Sequence, residues 1–418
     1  MAKKPVPGTP SWLRETNERT ALSLLLEHGV LTRNRLGELS GLSKPTASQI
    51  VSRLESAGII DVVGEVSGGR GPNAASYGVR SDRVLGVAID IDDSVIRSTV
   101  VDALGTEHPV VETAIDPGDG DRSASADVRA AIDSACSATT ANTTAVQIVS
   151  IGVQGSIDPR TDELSFIDTL PGWPRKGVRK KLADALGREV RIDNDVNLAA
   201  IAERSEGAGA GTSSFVLLWM GDGLGLAVDL AGTVHRGASG GAGEIGYLPV
   251  PRETSVLDPE ATDLQQLLGG EAIARLARKH GIAADNSAAG QVSAAALVRA
   301  LAGHPEREAL FADIAPRIAL GIVPVLAILD PEVIVLGGPL GTAGGELLAD
   351  LVSDEIARAQ LWRPTVTASA IPEFPVLRGA REVLVHAVQN RLLDEVSTIP
   401  SAPSERADTI RTIHRKEQ

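Results

Sequence analysis

An amide and a carboxylate stand side by side at Asn194-Asp195, directly after the apolar stretch Val190–Ile192 and at the head of a helical pattern, Val196–Glu206. At the carboxyl end of a strand, where ligands of open α/β sheets collect, such a pair can donate to and accept from the vicinal hydroxyls of a sugar. Read alone, it is more readily an ordinary helix cap. A second constellation is polar and cationic. Lys44, Thr46, Ser48, Gln49, Ser52 and Arg53 share one face of a short helical segment, and Arg70 lies in the Gly-rich stretch Ser67–Asn73. Short hydroxyls and amides such as Thr46, Ser48 and Gln49 can meet base edges in a major groove. Lys44 and Arg53 can neutralise phosphates. The glycines around Arg70 let the backbone approach a minor groove or a phosphate closely.

The elements that must carry these residues follow from the pattern. Asn17–His28 reads as a helix stopped by Gly29, and Thr32–Ser40 as a second helix with Thr32 as its cap. After the turn Gly41-Leu42-Ser43, a third helix begins with Ser43 as cap and Pro45 in its first turn. Its apolar residues Ala47, Ile50, Val51 and Leu54 fall at helical spacing. Two short strands flank the Ser67–Asn73 tip. Helix, helix, turn, helix and hairpin is the order of a winged helix-turn-helix. The bland alternative is a three-helix bundle whose solvated polar face serves dimerisation.

From Val84 onward, strands alternate with helices. Strands are expected at Val84–Ile91, Val95–Val101, Val146–Val153, Val190–Ile192, Phe215–Met220, Leu224–Leu230 and Val333–Leu336. Helices are expected at about Ser123–Thr139, Lys176–Leu186, Val196–Glu206, Asp263–Lys279, Glu306–Leu329 and Glu346–Arg358. Pro316 and Pro324 should kink or break the long Glu306–Leu329 helix. No short-period repeat is visible.

The 418 residues are too many for one core and suit a small domain plus a larger one. Aromatics make up only 2%, so the interior must be built from Ala, Val, Leu and Ile. The single cysteine, Cys136, excludes a disulfide framework and any multi-cysteine metal site. The net charge of −14 taken alone argues against a nucleic-acid partner, but its distribution does not. Residues 1–83 hold 11 basic and 8 acidic side chains, against 29 and 46 in the rest. A mildly basic head on an acidic body suits a polyanion-binding module whose body stays clear of the polyanion. Lys3 and Lys4 are followed by no apolar region, and no apolar run approaches the length of a bilayer span. A soluble, cytoplasmic protein without membrane contact is expected.

At this point a family becomes recognisable. Leu31–Thr46 resembles the DNA-binding head of the ROK (repressor, open reading frame, kinase) family. Ser150-Ile151-Gly152-Val153-Gln154-Gly155-Ser156-Ile157-Asp158 is similar to its Gly-containing strand and turn, and Pro171-Gly172-Trp173 to its sugar-loop segment. Ile192–Ala200 is similar to its Asn-Asp motif, Arg236–Gly246 to its Gly-Glu signature, and Pro331–Gly338 to its C-terminal strand with Gly-Gly. The resemblance spans nearly all of residues 15–390 in order. It implies an actin-like, hexokinase-like fold of two lobes with a cleft between them. It also implies ligand contacts from Gly155, Asn194, Asp195 and Glu244. In kinases of the family the Asp at the position of Asp195 is the general base, and the neighbouring Asn grips the sugar.

The departures are informative. Tyr247 stands where the family has a His that touches sugar and helps hold a zinc; its hydroxyl could still contact ligand, or it could be a plain core residue. Residues 248–275 contain no cysteine, so the family zinc site is expected to be lost, with no cofactor, and Pro249–Leu264 to be held by packing alone. Family kinases carry Asp-x-Gly-Gly-Thr after their first strand, whose amides cradle phosphate. Here the turn reads Asp90-Ile91-Asp92-Asp93-Ser94. Two like charges about 4 Å apart repel by roughly 4 kcal/mol at an effective dielectric near 20. Gly221–Gly225 and Gly337-Gly338 resemble the second phosphate and adenosine segments, and are read as tight turns retained by the fold.

The expectation is therefore an α/β protein with a disordered N-terminus (1–14), a winged helix-turn-helix (15–82), a ROK sensor domain (83–395, lobes about 83–195 and 196–395) and a polar tail (396–418). It would be a non-enzymatic, sugar-responsive repressor of carbohydrate-metabolism genes. Its partners would be double-stranded DNA with a palindromic operator, a sugar or sugar phosphate, and further copies of itself in a homodimer or homotetramer. The competing expectations are an ATP-dependent sugar kinase with a DNA-binding head, and a repressor whose body only oligomerises.

Overall fold

The structure, a computed structural model, describes residues 7–66, 74–92, 94–115, 122–165, 170, 172–251, 257–284, 292–359 and 362–399. The hairpin tip with Arg70, together with Asp93 and Pro171, lies outside the described residues. The chain divides into two compact units. One comprises the residues up to Leu85, Val101–Thr106 and the chain from Val385 on; the other comprises Gly86–Val100 and Glu107–Leu384.

The first unit opens with α1 (Pro10–His28), β1 (Leu31–Thr32), α2 (Arg33–Ser40), α3 (Lys44–Ser56), β2 (Ile60–Val66) and β3 (Ala74–Val79). Thr32 and Ser43 cap α2 and α3 through their hydroxyls, as their positions before the apolar periodicity dictate. The first helix begins earlier than expected. Thr9 accepts from Trp12 N and Pro10 occupies the first turn, so residues 10–14, assigned to a disordered N-terminus, are helical. Ala21, Leu22 and Leu25 of α1 are buried, as are Leu36 of α2 and Ala47, Ile50, Val51 and Leu54 of α3. The hairpin β2–β3 is antiparallel, and β1 adds to β3 to give the order β1-β3-β2.

The second part of the chain runs β4 (Leu85–Ile91), β5 (Val95–Val101), β6 (Val111–Ala114), α4 (Ala124–Thr139), β7 (Val146–Val153), β8 (Ser156–Ile157), β9 (Leu164–Ser165), α5 (Val178–Leu186), β10 (Glu189–Asn194) and α6 (Asp195–Glu206). It continues with β11 (Ser214–Met220), β12 (Leu224–Leu230), β13 (Thr233–Val234), α7 (Leu264–Leu268), α8 (Gly270–Lys279), α9 (Ala294–Leu301), α10 (Arg307–Leu329), β14 (Val333–Gly337), α11 (Gly338–Ala359), β15 (Thr365–Ala368) and α12 (Pro375–Val396). Two five-stranded sheets result, in the orders β10-β7-β4-β5-β6 and β13-β12-β11-β14-β15. Each holds three sequential strands on one side and two later strands on the other. The arrangement is a structural duplication that the sequence does not display.

The core around the second sheet is aliphatic, with Phe215 and Phe311 as the largest wholly buried side chains. The helix α10 is continuous despite Pro316 and Pro324. By length and composition it is apolar enough to cross a bilayer, and half of its most apolar stretch is buried inside the protein. The expected Asp263–Lys279 helix is divided into α7 and α8 at Gly269. The lobe boundary expected at 195/196 is not respected by the end of the chain. Within the second unit, Val376 of α12 lies against Gly152 of β7, where an added Cβ would stand 2.5 Å from Val376 Cγ1. Within the first unit, the last turns of α12 are fastened to α1 by Arg19, which donates to Leu393 O (2.9 Å) and Asp394 Oδ1 (3.1 Å).

Candidate ligand-binding site and nucleic-acid interface

Three neighbouring strands of the first sheet end together. Asn194 pairs with Val153 in the parallel β10–β7 ladder, and β4 lies beside β7. Their carboxyl ends therefore present Asp92, Gln154-Gly155 and Asn194-Asp195 at one edge. Gln154 Nε2 donates to Asp92 Oδ1 (3.0 Å), and Asn194 Nδ2 donates to the Gly155 carbonyl (3.1 Å). Asn194 Oδ1 also accepts from Asn197 N (3.1 Å), so Asn194 is the α6 cap that the plain reading foresaw and also the tie to Gly155. Among the described residues, Asp195 accepts only from its own neighbour, Val196 N.

Asp195 is a half-buried carboxylate. Desolvation is the main cause that pushes its pKa up to about 8, and the charges of Asp90, Asp92 and Glu244 push the same way. Burial likewise raises Asp90 to about 6, opposed by Arg97 and assisted by Asp92. Arg97, on β5, reaches Asp90 Oδ2 (3.3 Å), Asp92 Oδ2 (3.8 Å) and Glu112 Oε1 (2.9 Å), so its charge is already shared among three carboxylates. Glu244, in the loop after β13, has its pKa raised by burial, and among the described residues no protein group donates to its carboxylate. A half-buried carboxylate without a protein donor is open to water or to a ligand hydroxyl. Its loop is possible only with glycine: Gly243 has φ +91°, and an added Cβ would stand 1.7 Å from the Leu226 carbonyl oxygen.

The Gly221–Gly225 turn carries Asp222, whose carboxylate accepts from Ala294 N (2.6 Å) at the start of α9. Burial raises its pKa and Asp92 adds to the rise. Gly337 and Gly338 are required by packing: added Cβ atoms would stand 2.6 Å from Leu217 Cδ1 and 2.7 Å from Met220 O. Beside Asn194 a cavity of about 140 Å³ is lined by Ile157, Arg179, Asp193, Asn197, Arg236 and Gly240 among others. Both arginines are engaged: Arg236 forks onto Asp193 (Nε to Oδ2, 2.9 Å) and Arg179 Nε donates to Asp162 Oδ1 (2.7 Å).

Tyr247 is 63% exposed, which removes the core reading of that residue. The following segment is not held by packing alone. Val250 N donates to Thr262 O and Leu264 N to Leu248 O (both 3.0 Å), and the buried Arg317 donates to Leu257 O (2.6 Å). Arg97, Gln154 and Asp222 were given no role in the sequence, although Gln154 and Asp222 lie inside recognised motifs. Arg97 becomes visible only once β4 and β5 are paired.

In the head, Lys44 and Gln49 are exposed on α3, and Thr46 and Ser48 are half-exposed. The Thr46 hydroxyl lies 2.8 Å from that of Ser43. Arg53, half-buried on the same helix, donates from Nε to Oε1 of Glu18 (2.5 Å), a carboxylate only 1% exposed on α1, so its charge serves a buried carboxylate that competes with the expected phosphate contact.

The ROK family model matches residues 88–386, and a model of winged helix-turn-helix DNA-binding domains matches residues 14–61. This chain belongs to the ROK family. Its relatives include the xylose repressor of Caldicellulosiruptor bescii, 19% identical over 395 residues, covering 90% of this chain and 97% of that one. The glucokinase of Thermotoga maritima is 30% identical over 257 residues, covering 56% of this chain and 78% of that one. A crystal structure of a ROK family transcriptional regulator, a homologue of the Escherichia coli Mlc protein, superposes with a TM-score of 0.65 at 18% identity, covering 92% of this chain and 99% of that one. At that identity the likeness is one of fold. The family assignment accounts for the α/β architecture with its winged helix-turn-helix head.

Proposed function

We propose that this ROK chain is a DNA-binding repressor of carbohydrate-metabolism genes, and that a sugar held by Asn194, Asp195, Glu244 and the Gly155 turn sets its operator affinity. Lys44, Thr46, Ser48 and Gln49 read and grip the operator, with Tyr247 at the rim of the sugar site. Binding works as a regulator only if the sugar favours one arrangement of the protein over another. A twofold dimer would read a palindromic operator with half-sites a whole number of helical turns apart. The name of the Caldicellulosiruptor bescii relative and the presence of a winged helix-turn-helix support the regulatory role.

The observation that carries the non-enzymatic part is the Asp92 carboxylate, held by Gln154 and Arg97 where kinases of the family have glycine amides for phosphate. The zinc of the family does not fit either: Tyr247 replaces its His, no cysteine follows in 248–275, and Arg317 with main-chain bonds fixes the segment instead. Sequences selected from random duplexes by the full chain, followed by gel-shift titration with a panel of sugars, test the reading. A palindromic consensus and an affinity shifted at least tenfold by one sugar are expected. An affinity that no sugar alters removes the sensor. Sugar-dependent ADP release that is abolished by Asp195→Asn would restore the kinase reading, for which the retained Asp195 is the favouring feature.

A further inference from the structure

Among the described residues, the charges that act on Asp195 are acidic. Asp90 and Asp92 stand at the end of β4, Glu244 arrives from the loop after β13, and Asp222 occupies the turn between β11 and β12. Asp195 feels the charges of Asp90, Asp92 and Glu244, and Asp222 feels that of Asp92. The geometry is independent of those titrations. Consecutive residues Gln154 and Gly155 tie Asp92 and Asn194 to the same corner, and Arg97 spans Asp90 and Asp92 while also serving Glu112.

Among the described residues, three nearby arginines are engaged by carboxylates. Arg97 faces three carboxylates, Arg236 is forked onto Asp193, and Arg179 is bound to Asp162. Phosphate recognition relies on donors free to face the anion, such as a guanidinium fork, a lysine or a row of amides. A phosphoryl group beside Asp195 would instead meet carboxylates. A hydroxyl can donate to them, and a carboxylate lacking donors, as in Glu244, is satisfied by that donation.

We propose that the effector is an uncharged sugar with a free hydroxyl at Asp195, and that the site rejects the phosphate ester of the same sugar. This rests on the reading of the site as a sugar sensor and goes one step further, because it places the signal before phosphorylation: the protein reads a substrate of a sugar-phosphorylating reaction, not its product.

Isothermal titration of the full chain with D-glucose, D-mannose, D-fructose and N-acetyl-D-glucosamine, each paired with its 6-phosphate, tests it, with D-xylose as a further free sugar. At least one free sugar is expected to bind at least tenfold more tightly than its ester. The gap should narrow in Asp92→Asn and in Asp222→Asn, and should also narrow as ionic strength rises. An ester that binds as tightly as its parent sugar, or more tightly, overturns the inference and leaves the sensor reading standing. Binding of neither class overturns the sensor reading and this inference together. A gap unchanged in both variants shows that the carboxylates are not the source of selection and overturns the argument.

Discussion

Arg53 Nε lies 2.5 Å from Glu18 Oε1, a salt bridge between α3 and α1 whose acidic partner is almost entirely buried. Removing one member of such a pair strands the other in a poor solvent. Arg53→Ala should therefore destabilise the head by about 2–3 kcal/mol, a little under the range for wholly buried pairs because Arg53 is 22% exposed. Its loss of DNA binding would follow from unfolding. Lys44→Ala should leave the melting temperature unchanged and lower the slope of log affinity against log salt by about one. Thermal melts alongside salt titrations of operator binding separate the two; equal salt slopes for both variants would return Arg53 to the phosphate contacts.

Gln49 is exposed on the same helix face, and its amide is suited to an adenine edge. Gln49→Ala should cost about 1–3 kcal/mol against the preferred operator and little against random duplex. Competition binding with both DNAs reads the ratio directly.

Arg97 holds Asp90 and Asp92 in the same way that Arg53 holds Glu18, with the difference that its partners lie at the ligand site. Arg97→Met should destabilise the protein by about 2–3 kcal/mol at pH 7.5. The loss should shrink toward pH 5, because Asp90, already raised to about 6 with Arg97 present, is then protonated and needs no counter-charge. Urea titrations at the two pH values check the difference.

How far the sequence announced these parts depends on how local the determining physics is. Thr32, Ser43 and Gly41 mark the ends of α2 and α3 because capping is settled within a few residues, and β4, β5, β7, β11 and β12 follow from apolar runs between turn formers, whereas the short β6, β8 and β9 were not expected. The Asn194-Asp195 corner was legible from a strand and a helix meeting at a polar pair. What was not legible depends on pairing across the chain. Arg53 sits at the border of the Ile50–Leu54 stripe, and only a partner on α1 decides which way it turns. Arg97 acquires its role from the β4–β5 pairing. The helix α12 was not expected, and Gly379 lies in its second turn. In the fold that glycine is demanded by close approach, an added Cβ lying 1.8 Å from Leu198 O.

Asp195 is the residue most visibly held against its own stability. Its ordinary pKa of 3.8 is raised to about 8, so the folded protein retains a proton that the unfolded chain releases. Stability is therefore lost progressively as pH rises from about 4 to about 8 and is level above that. Asp195→Asn removes this penalty. The variant should melt higher than the parent in the absence of ligand, with a gain that grows from pH 4 to pH 8, while its response to sugar disappears. A variant that melts lower across this range would mean that Asp195 is a structural group and not one reserved for ligand.

Two glycines distinguish a loop that still serves a ligand from a turn that has lost its phosphate. Gly243 precedes Glu244 with φ +91°, and any side chain there collides with the Leu226 carbonyl; Gly243→Ala should cost about 2 kcal/mol or more and displace Glu244, so that sugar binding weakens at least tenfold. Gly223 stands in the Gly221–Gly225 turn with nothing within 4 Å of where a Cβ would go and without a left-handed φ. If no phosphate lies against that turn, Gly223→Ala is silent: stability within about 0.5 kcal/mol, with sugar affinity and operator response unchanged. Melting curves and ligand titrations of the two variants give the comparison. A Gly223→Ala protein that folds normally but loses its response to sugar would show that the turn still approaches a bound molecule, and the separation of sugar sensing from phosphate handling would have to be abandoned.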